Sequence, residues 1–187
     1  MRGYVAWTVL AVGAIVGCQP SVPSTGSADA PAGVPAKAGA SKLSPEGVNL
    51  VIGDEKKLAE MVAAHKGRVV FVDFWATWCE PCVAYFPHTV EIHRQYQERG
   101  LATIAVSYDT LEEESKARKF LADQGADFEN LLSSYDGAGT GASEGFQIGQ
   151  VPHFRLYDRQ GKLRHKWDNK PVEVEQKIEE LLAEKDA

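Results

Sequence analysis

Cysteine is scarce in this chain of 187 residues: Cys18, Cys79 and Cys82 are the whole supply. There is no second Cys-x-x-Cys, so the paired-cysteine zinc site that takes four ligands from two spaced pairs cannot be assembled. His88 stands six residues beyond Cys82, off its helical face. An excess of positive charge is missing too. Lys and Arg number 20 against 26 Asp and Glu, a formal net charge of −6, which argues against nucleic acid as a partner and supplies no basic patch for anionic lipid. The apolar run from Tyr4 to Val16 falls short of the about 20 residues a spanning helix needs. Between Ser21 and Lys42, large apolar residues are almost absent and Ala, Gly, Pro and Ser dominate. Such a stretch cannot build a core and reads as a tether. No internal repeat is evident.

What is present centres on residues 69–82. Val69-Val70-Phe71-Val72-Asp73-Phe74 reads as a buried strand. Trp75-Ala76-Thr77-Trp78-Cys79-Glu80-Pro81-Cys82 follows, and a helical pattern runs on from about Val83 to Arg99. A Cys-x-x-Cys at a strand-to-helix junction is a redox motif. The partial positive charge and free N–H groups of a helix start favour a thiolate at Cys79, and the thiolate is the form that attacks a disulfide. Cys82, one turn on, is placed to resolve the mixed disulfide. A structural disulfide would not need the flanking tryptophans or the strand-turn-helix setting. Glu80 puts a carboxylate between the cysteines, which limits how far the Cys79 pKa falls and makes the protein more reducing than strong oxidants of the DsbA type. It is equally a carboxylate welcomed by the helix dipole. An unpaired Asp73 in an apolar strand should have a raised pKa.

These residues resemble the active-site strand and helix start of thioredoxins. Cys-Glu-Pro-Cys with Phe86-Pro87 resembles in particular the membrane-anchored TlpA/ResA-like thiol-disulfide oxidoreductases, and the likeness extends from about Val48 to the C-terminus. It implies a thioredoxin fold, a redox-active Cys79–Cys82 disulfide with no other cofactor, and proton acceptance from Cys82 by Asp73. It implies a cis-proline loop at Val151-Pro152 whose backbone pairs with a substrate strand. Trp75 and Trp78 read as part core and part rim of the substrate surface, with Trp75 in reach of the substrate strand. The chain departs from some TlpA/ResA-like members, which have Asn at the place of Asp73 and Glu at the place of Tyr85. Ala105, in the strand expected beside Asp73, stands where thioredoxins can offer a lysine.

Met1 to Gly17 has signal-peptide proportions. Its end, Ile15-Val16-Gly17-Cys18, resembles a bacterial lipobox, which implies cleavage before Cys18 and lipid on its thiol. Gln19 rather than Asp follows, which by the enterobacterial sorting pattern does not favour inner-membrane retention. The expected organisation is a signal peptide at 1–17, a lipidated tether at 18–44 reaching roughly 25–30 Å, and one domain at 45–187.

Within that domain the pattern predicts a strand at Val48–Ile52 and a helix capped by Asp54 that carries Leu58, Met61 and Val62. Strands follow at Val69–Phe74, Leu101–Tyr108, Phe128–Ser133, His153–Asp158 and Lys162–Trp167. A capping box at Thr110–Glu113 opens a helix, Pro87 should kink the active-site helix, and Val174, Ile178, Leu181 and Leu182 form the stripe of a last helix. The fold class is α/β: a mixed central sheet with helices on both faces. The helix and strand between Leu111 and Ser133 resemble the insertion of the TlpA/ResA-like branch. His153 reads as a satisfied strand-edge histidine and Arg155 as a paired or snorkelling one.

The expectation is a membrane-tethered reductase of protein disulfides outside the cytoplasm, re-reduced by a membrane thiol donor, with apo-cytochrome c cysteines among its possible substrates by resemblance. The alternative is a copper-binding or copper-delivery module using the two cysteines, with or without His153. A thiol peroxidase ranks lower, since no Pro precedes Thr77 nearby, and a purely structural interaction domain leaves the cysteine pair unexplained.

Overall fold

The chain divides into two units, 1–37 and 38–187. The computed structural model describes residues 42–135, 137 and 139–184. The expected signal peptide, Cys18 and nearly all of the expected tether lie outside the described residues. None of the described helices is long and apolar enough to cross a membrane.

The second unit runs β1 (Leu50–Gly53), α1 (Glu55–Ala64), β2 (Val69–Trp75), α2 (Glu80–Tyr96), β3 (Leu101–Ser107), α3 (Glu114–Gln124), β4 (Glu129–Ser133), α4 (Thr140–Phe146), β5 (His153–Tyr157), β6 (Leu163–Asp168) and α5 (Val174–Ala183). The six strands form one sheet in the order β1-β4-β3-β2-β5-β6. The pairs β1–β4, β4–β3 and β3–β2 are parallel; β2–β5 and β5–β6 are antiparallel. The sheet is mixed, as expected, and β4 enters between β1 and β3 as the inserted strand.

Local chemistry explains most boundaries. Asp54 accepts from the backbone N–H groups of Lys56 and Lys57 and caps α1. Glu113 accepts from the backbone N–H of Thr110 at the entry to α3. Gly100 and Gly125, both at positive φ, end the turns after α2 and α3. The first strand starts at Leu50 rather than Val48, because Pro45–Gly47 form a 3₁₀ turn capped by Ser44. The active-site helix starts at Glu80, earlier than the apolar periodicity suggests, since Cys79 and Pro81 shape its first turn. It runs through Pro87 to Tyr96, and its last turn, Gln97–Arg99, tightens to 3₁₀.

Alternation along β2 sends side chains to two layers. Phe74 packs on Phe146 of α4 and on Tyr108. Trp75 packs on Phe86 of α2 and Phe120 of α3. Phe71, Phe154, Ile178 and Leu181 join in a cluster that seats α5 on the α2 side. All seven residues of β2 and of β3 are buried. The active-site helix therefore springs from the centre of the sheet, where its position is set by packing on all sides.

Candidate active site

Cys79 is the N-cap of α2, with extended backbone (φ −91°, ψ 98°). Its sulfur accepts from the backbone N–H of Cys82 at 3.3 Å. That donor is one of the helix-start N–H groups that no carbonyl satisfies, so the site supplies a hydrogen bond and a dipole to negative charge on Cys79. Pro81 sits in the first turn, where a missing N–H costs little, and Glu80 beside it is exposed. The two sulfurs are joined as a disulfide, with Cα atoms 5.2 Å apart.

Cys79, at the helix start, was expected to be the more exposed cysteine of the pair, and it is, though by little. It is only 5 % exposed, against 2 % for Cys82, because its capping role turns the sulfur inward over the helix end. Trp78 is the exposed rim, at 49 %. Trp75, expected to meet a substrate strand, is fully buried. As the last residue of β2 it points into the layer between Phe86 and Phe120, so it supports the site from below and does not touch a substrate.

Asp73 lies in β2 between Ala105 of β3 and Phe154 of β5. Burial pushes its carboxyl from an ordinary 3.8 up to about 7, against a lowering hydrogen bond from Thr89. Thr89 Oγ1 donates to Oδ2 at 2.6 Å. With Ala105 beside it there is no lysine to hold the charge, as the sequence suggested. Thr89 is seven residues beyond Cys82, about 10 Å of helix rise. Asp73 thus shares the α2 layer with the cysteine pair but is turned toward the helix middle. Tyr85, also on α2, has its phenol buried without a hydrogen-bond partner. Burial, then Asp73 and Glu175, push its pKa upward.

The Val151–Pro152 peptide bond is cis. Pro152 is buried and Val151 half-buried. The loop is held from β6: Asn169 N–H donates to the Pro152 carbonyl at 2.9 Å, and Gln150 donates to the Asn169 side chain. His153 Nδ1 lies 2.8 Å from Asp168 Oδ1, and its Nε2 accepts from Arg155 Nε at 3.3 Å. That pairing fixes the neutral tautomer with the proton on Nδ1, and burial lowers the pKa against a raising hydrogen bond to Asp168. Arg155 rests its guanidinium 4.9 Å over the Phe74 ring and donates to the Phe146 carbonyl. Both residues are satisfied structural groups, as the sequence suggested. Among the described residues, no group of three or more His, Cys, Asp and Glu is placed to hold a metal.

Two residues escaped sequence reasoning. Thr89 is, with His93, a polar residue on the buried and mostly apolar face of α2, a signal that was legible. Asp109, two residues beyond β3, is fully buried and binds Thr77 through its backbone N–H and its hydroxyl. Nothing local to Asp109 marks it. Its place follows from the parallel register that sets Trp75 opposite Ser107, so that two residues further on Thr77 faces Asp109.

With this geometry in view, the family model described as Redoxin matches residues 38–182. The chain belongs to the Redoxin family. Within it the chain is similar to the thiol-disulfide oxidoreductase ResA of Bacillus cereus, 31 % identical over 126 residues, 67 % of this chain and 69 % of that one. It is similar to ResA of Bacillus anthracis at 30 % over 123 residues, covering 65 % and 67 %. A Chlorobium tepidum structure assigned as a thiol:disulfide interchange protein DsbE superposes with a TM-score of 0.55 at 29 % identity, over 65 % of this chain and 85 % of that one. This Redoxin-family chain is a TlpA/ResA-like thioredoxin-fold protein and a thiol-disulfide oxidoreductase.

Proposed function

We propose that the protein is a reductase of protein disulfides outside the cytoplasm, with Cys79 as attacking and Cys82 as resolving thiol. The observation that carries the role assignment is the Cys79 sulfur at the helix N-cap, taking the Cys82 N–H. The Cys79 thiolate attacks one sulfur of a substrate disulfide. A Cys79–substrate bond forms and the other substrate sulfur leaves as a thiolate, taking a proton from solvent. Cys82 then loses its proton to Asp73 and attacks Cys79, which releases the second substrate thiolate and leaves the Cys79–Cys82 disulfide. Two electrons pass to the substrate, and an external dithiol, for which a membrane thiol carrier is suited, restores the pair. Asp73, poised near 7, is a suitable acceptor at neutral pH. It reaches Cys82 through a relay water or after turning from Thr89. The backbone of Val151, on the cis-proline loop, offers an edge for an extended substrate segment, and Trp78 an apolar rim.

The lipobox-like Ile15-Val16-Gly17-Cys18 and the tether after it support attachment to a bacterial membrane through lipid on Cys18, with the domain on the periplasmic side. Likeness to ResA and DsbE makes apo-cytochrome c cysteines a substrate class to test. The copper alternative gains nothing from His153, whose ring nitrogens are both committed to Asp168 and Arg155.

The test is trapping with Cys82→Ser. Substrate should remain covalently held at Cys79, and Cys79→Ser should hold none. Faster alkylation of Cys82 than of Cys79 in the reduced wild-type chain would reverse the roles.

A further inference from the structure

We propose that Asp109 sets how reducing Cys79 is, by gripping the loop that carries the sulfur and by holding a negative charge close behind it. The inference rests on the reading of Cys79 as the attacking thiol. Asp109 is fully buried, and among the described residues it forms no ion pair. Its partners are all neutral donors: Thr77 N–H at 3.1 Å to each oxygen, Thr77 Oγ1 at 2.6 Å and Ser107 Oγ at 2.7 Å. Ser107 Oγ in turn accepts from the Asp109 N–H at 3.1 Å. Three groups saturate an acceptor-only carboxylate without a cation. Two further bonds hold the same segment, Tyr108 N–H to the Trp75 carbonyl and Cys79 N–H to the Ala76 carbonyl. The stretch Trp75–Cys79 is thereby pinned to the end of β3, and Asp109 supplies the only charged grip in it.

Cys79 is two residues beyond Thr77, and each residue spans at most about 3.6 Å. The carboxylate therefore lies within about 15 Å of the Cys79 sulfur, and the turn closed by the Cys79 N–H to Ala76 carbonyl bond brings it nearer. A like charge at that distance in a protein interior shifts a thiol upward by about one pKa unit. This opposes the helix dipole and the Cys82 N–H, so the reduced form is less stabilised and the pair more reducing. The three donors spread the charge and moderate the effect.

Two substitutions of opposite predicted sign provide the test. Asp109→Asn keeps an oxygen for Thr77 and turns an amide toward Ser107 Oγ while removing the charge. Thr77→Val keeps the shape and the backbone N–H but removes the 2.6 Å donor, so the carboxylate acts on Cys79 with less to offset it. The readouts are the pH dependence of Cys79 alkylation and the equilibrium with a glutathione redox buffer. Asp109→Asn should lower the Cys79 pKa by about one unit and favour the reduced form about tenfold, or about 30 mV; Thr77→Val should move both the other way. Glu80 at the helix start, Asp73 beneath α2, and Glu112 and Glu113 beyond Asp109 are the other acids near this segment, and neither variant alters them. A clamp acting through structure alone would be loosened by both changes and shift them in the same direction. Same-sign shifts, or an Asp109→Asn protein indistinguishable from wild type, overturn the proposal. If Asp109→Asn does not fold, Asp109→Ser, which keeps a hydroxyl acceptor without the charge, takes its place against Thr77→Val with the same opposite signs required. Preferential alkylation of Cys82 in the unmutated chain would instead sink the assignment of Cys79, independently of the variants.

Discussion

At Asp73 a carboxyl sits where an aliphatic residue would pack, and the helix above answers it with one hydroxyl. Removing the charge while keeping an acceptor for Thr89, as in Asp73→Asn, should leave the fold intact. It should slow release of the mixed disulfide, because Cys82 loses its proton acceptor; general-base contributions run to roughly 10²–10⁴-fold. Single-turnover rates that stay at wild-type values from pH 6 to 9 would leave Asp73 a structural residue. Thr89→Val tests the same group from the other side. The hydrogen bond from Thr89 lowers the Asp73 pKa, so its loss should carry that pKa above 7 and move the pH profile of resolution to more alkaline values. The cysteines, Asp73 and the Val151-Pro152 pair could be picked out from the sequence because each sits in a local pattern. Asp109 could not, because its distant partner, Thr77, is 32 residues away just beyond the end of another strand and meets it only through register. Trp75 was misplaced for a related reason: its side of β2 is decided by alternation, not by its nearness to Cys79 in sequence.

Among the elements, α2 and the strands beside it were readable, since a run such as Val69–Phe74 and the stripe of α5 carry their own periodicity. The ends were less so. A 3₁₀ turn at Pro45–Gly47 displaced β1, and the cysteine cap moved the start of α2. Helix α4 shows a constraint that composition hides. A Cβ on Gly145 would lie 2.6 Å from the Tyr135 hydroxyl and 2.7–2.8 Å from its ring carbons. Tyr135 in turn donates to Glu55 at the start of α1. Neither a ring nor a backbone can yield cheaply, so Gly145→Ala should cost about 1–3 kcal/mol by separating α4 from Tyr135. Urea unfolding would measure it. Restoring space with Tyr135→Ala in the same chain should recover part of the loss, and no recovery would place the strain elsewhere. The segment before β1 is likewise part of the fold. Val48 is buried, Leu43 N–H donates to the Ala122 carbonyl, and Arg118 bonds the Val48 and Leu50 carbonyls. A chain beginning at Lys42 should therefore melt and reduce disulfides like a longer one, whereas one beginning at Leu50 should lose about 1.5–3 kcal/mol from Val48 alone. Equal melting temperatures for the two would show that this segment is not docked in solution.

For the whole molecule, two buried titrating groups should shape stability against pH from opposite sides. His93 is buried on α2 beside Phe128, and burial lowers its pKa below the usual 6.5. The unfolded chain then takes up a proton that the fold resists, so this contribution is lost as pH falls through 6.5. Asp73 works the other way. Its carboxyl titrates at 3.8 when unfolded and at about 7 when folded, so its contribution is complete below about 4 and is lost as pH rises to about 7, after which it is constant. The difference corresponds to a few kcal/mol at most on an order-of-magnitude basis. Asp73→Asn cancels this dependence. The variant's stability relative to wild type should rise steadily between pH 4 and 7 and then level off, the gain being largest where the wild-type charge is fully formed in the core. Parallel denaturant titrations at pH 4, 5.5, 7 and 8.5 would record it. A difference that is flat across that range would mean that the folded protein already holds Asp73 ionised at pH 4, and the case for it as a neutral-pH proton acceptor would go with it.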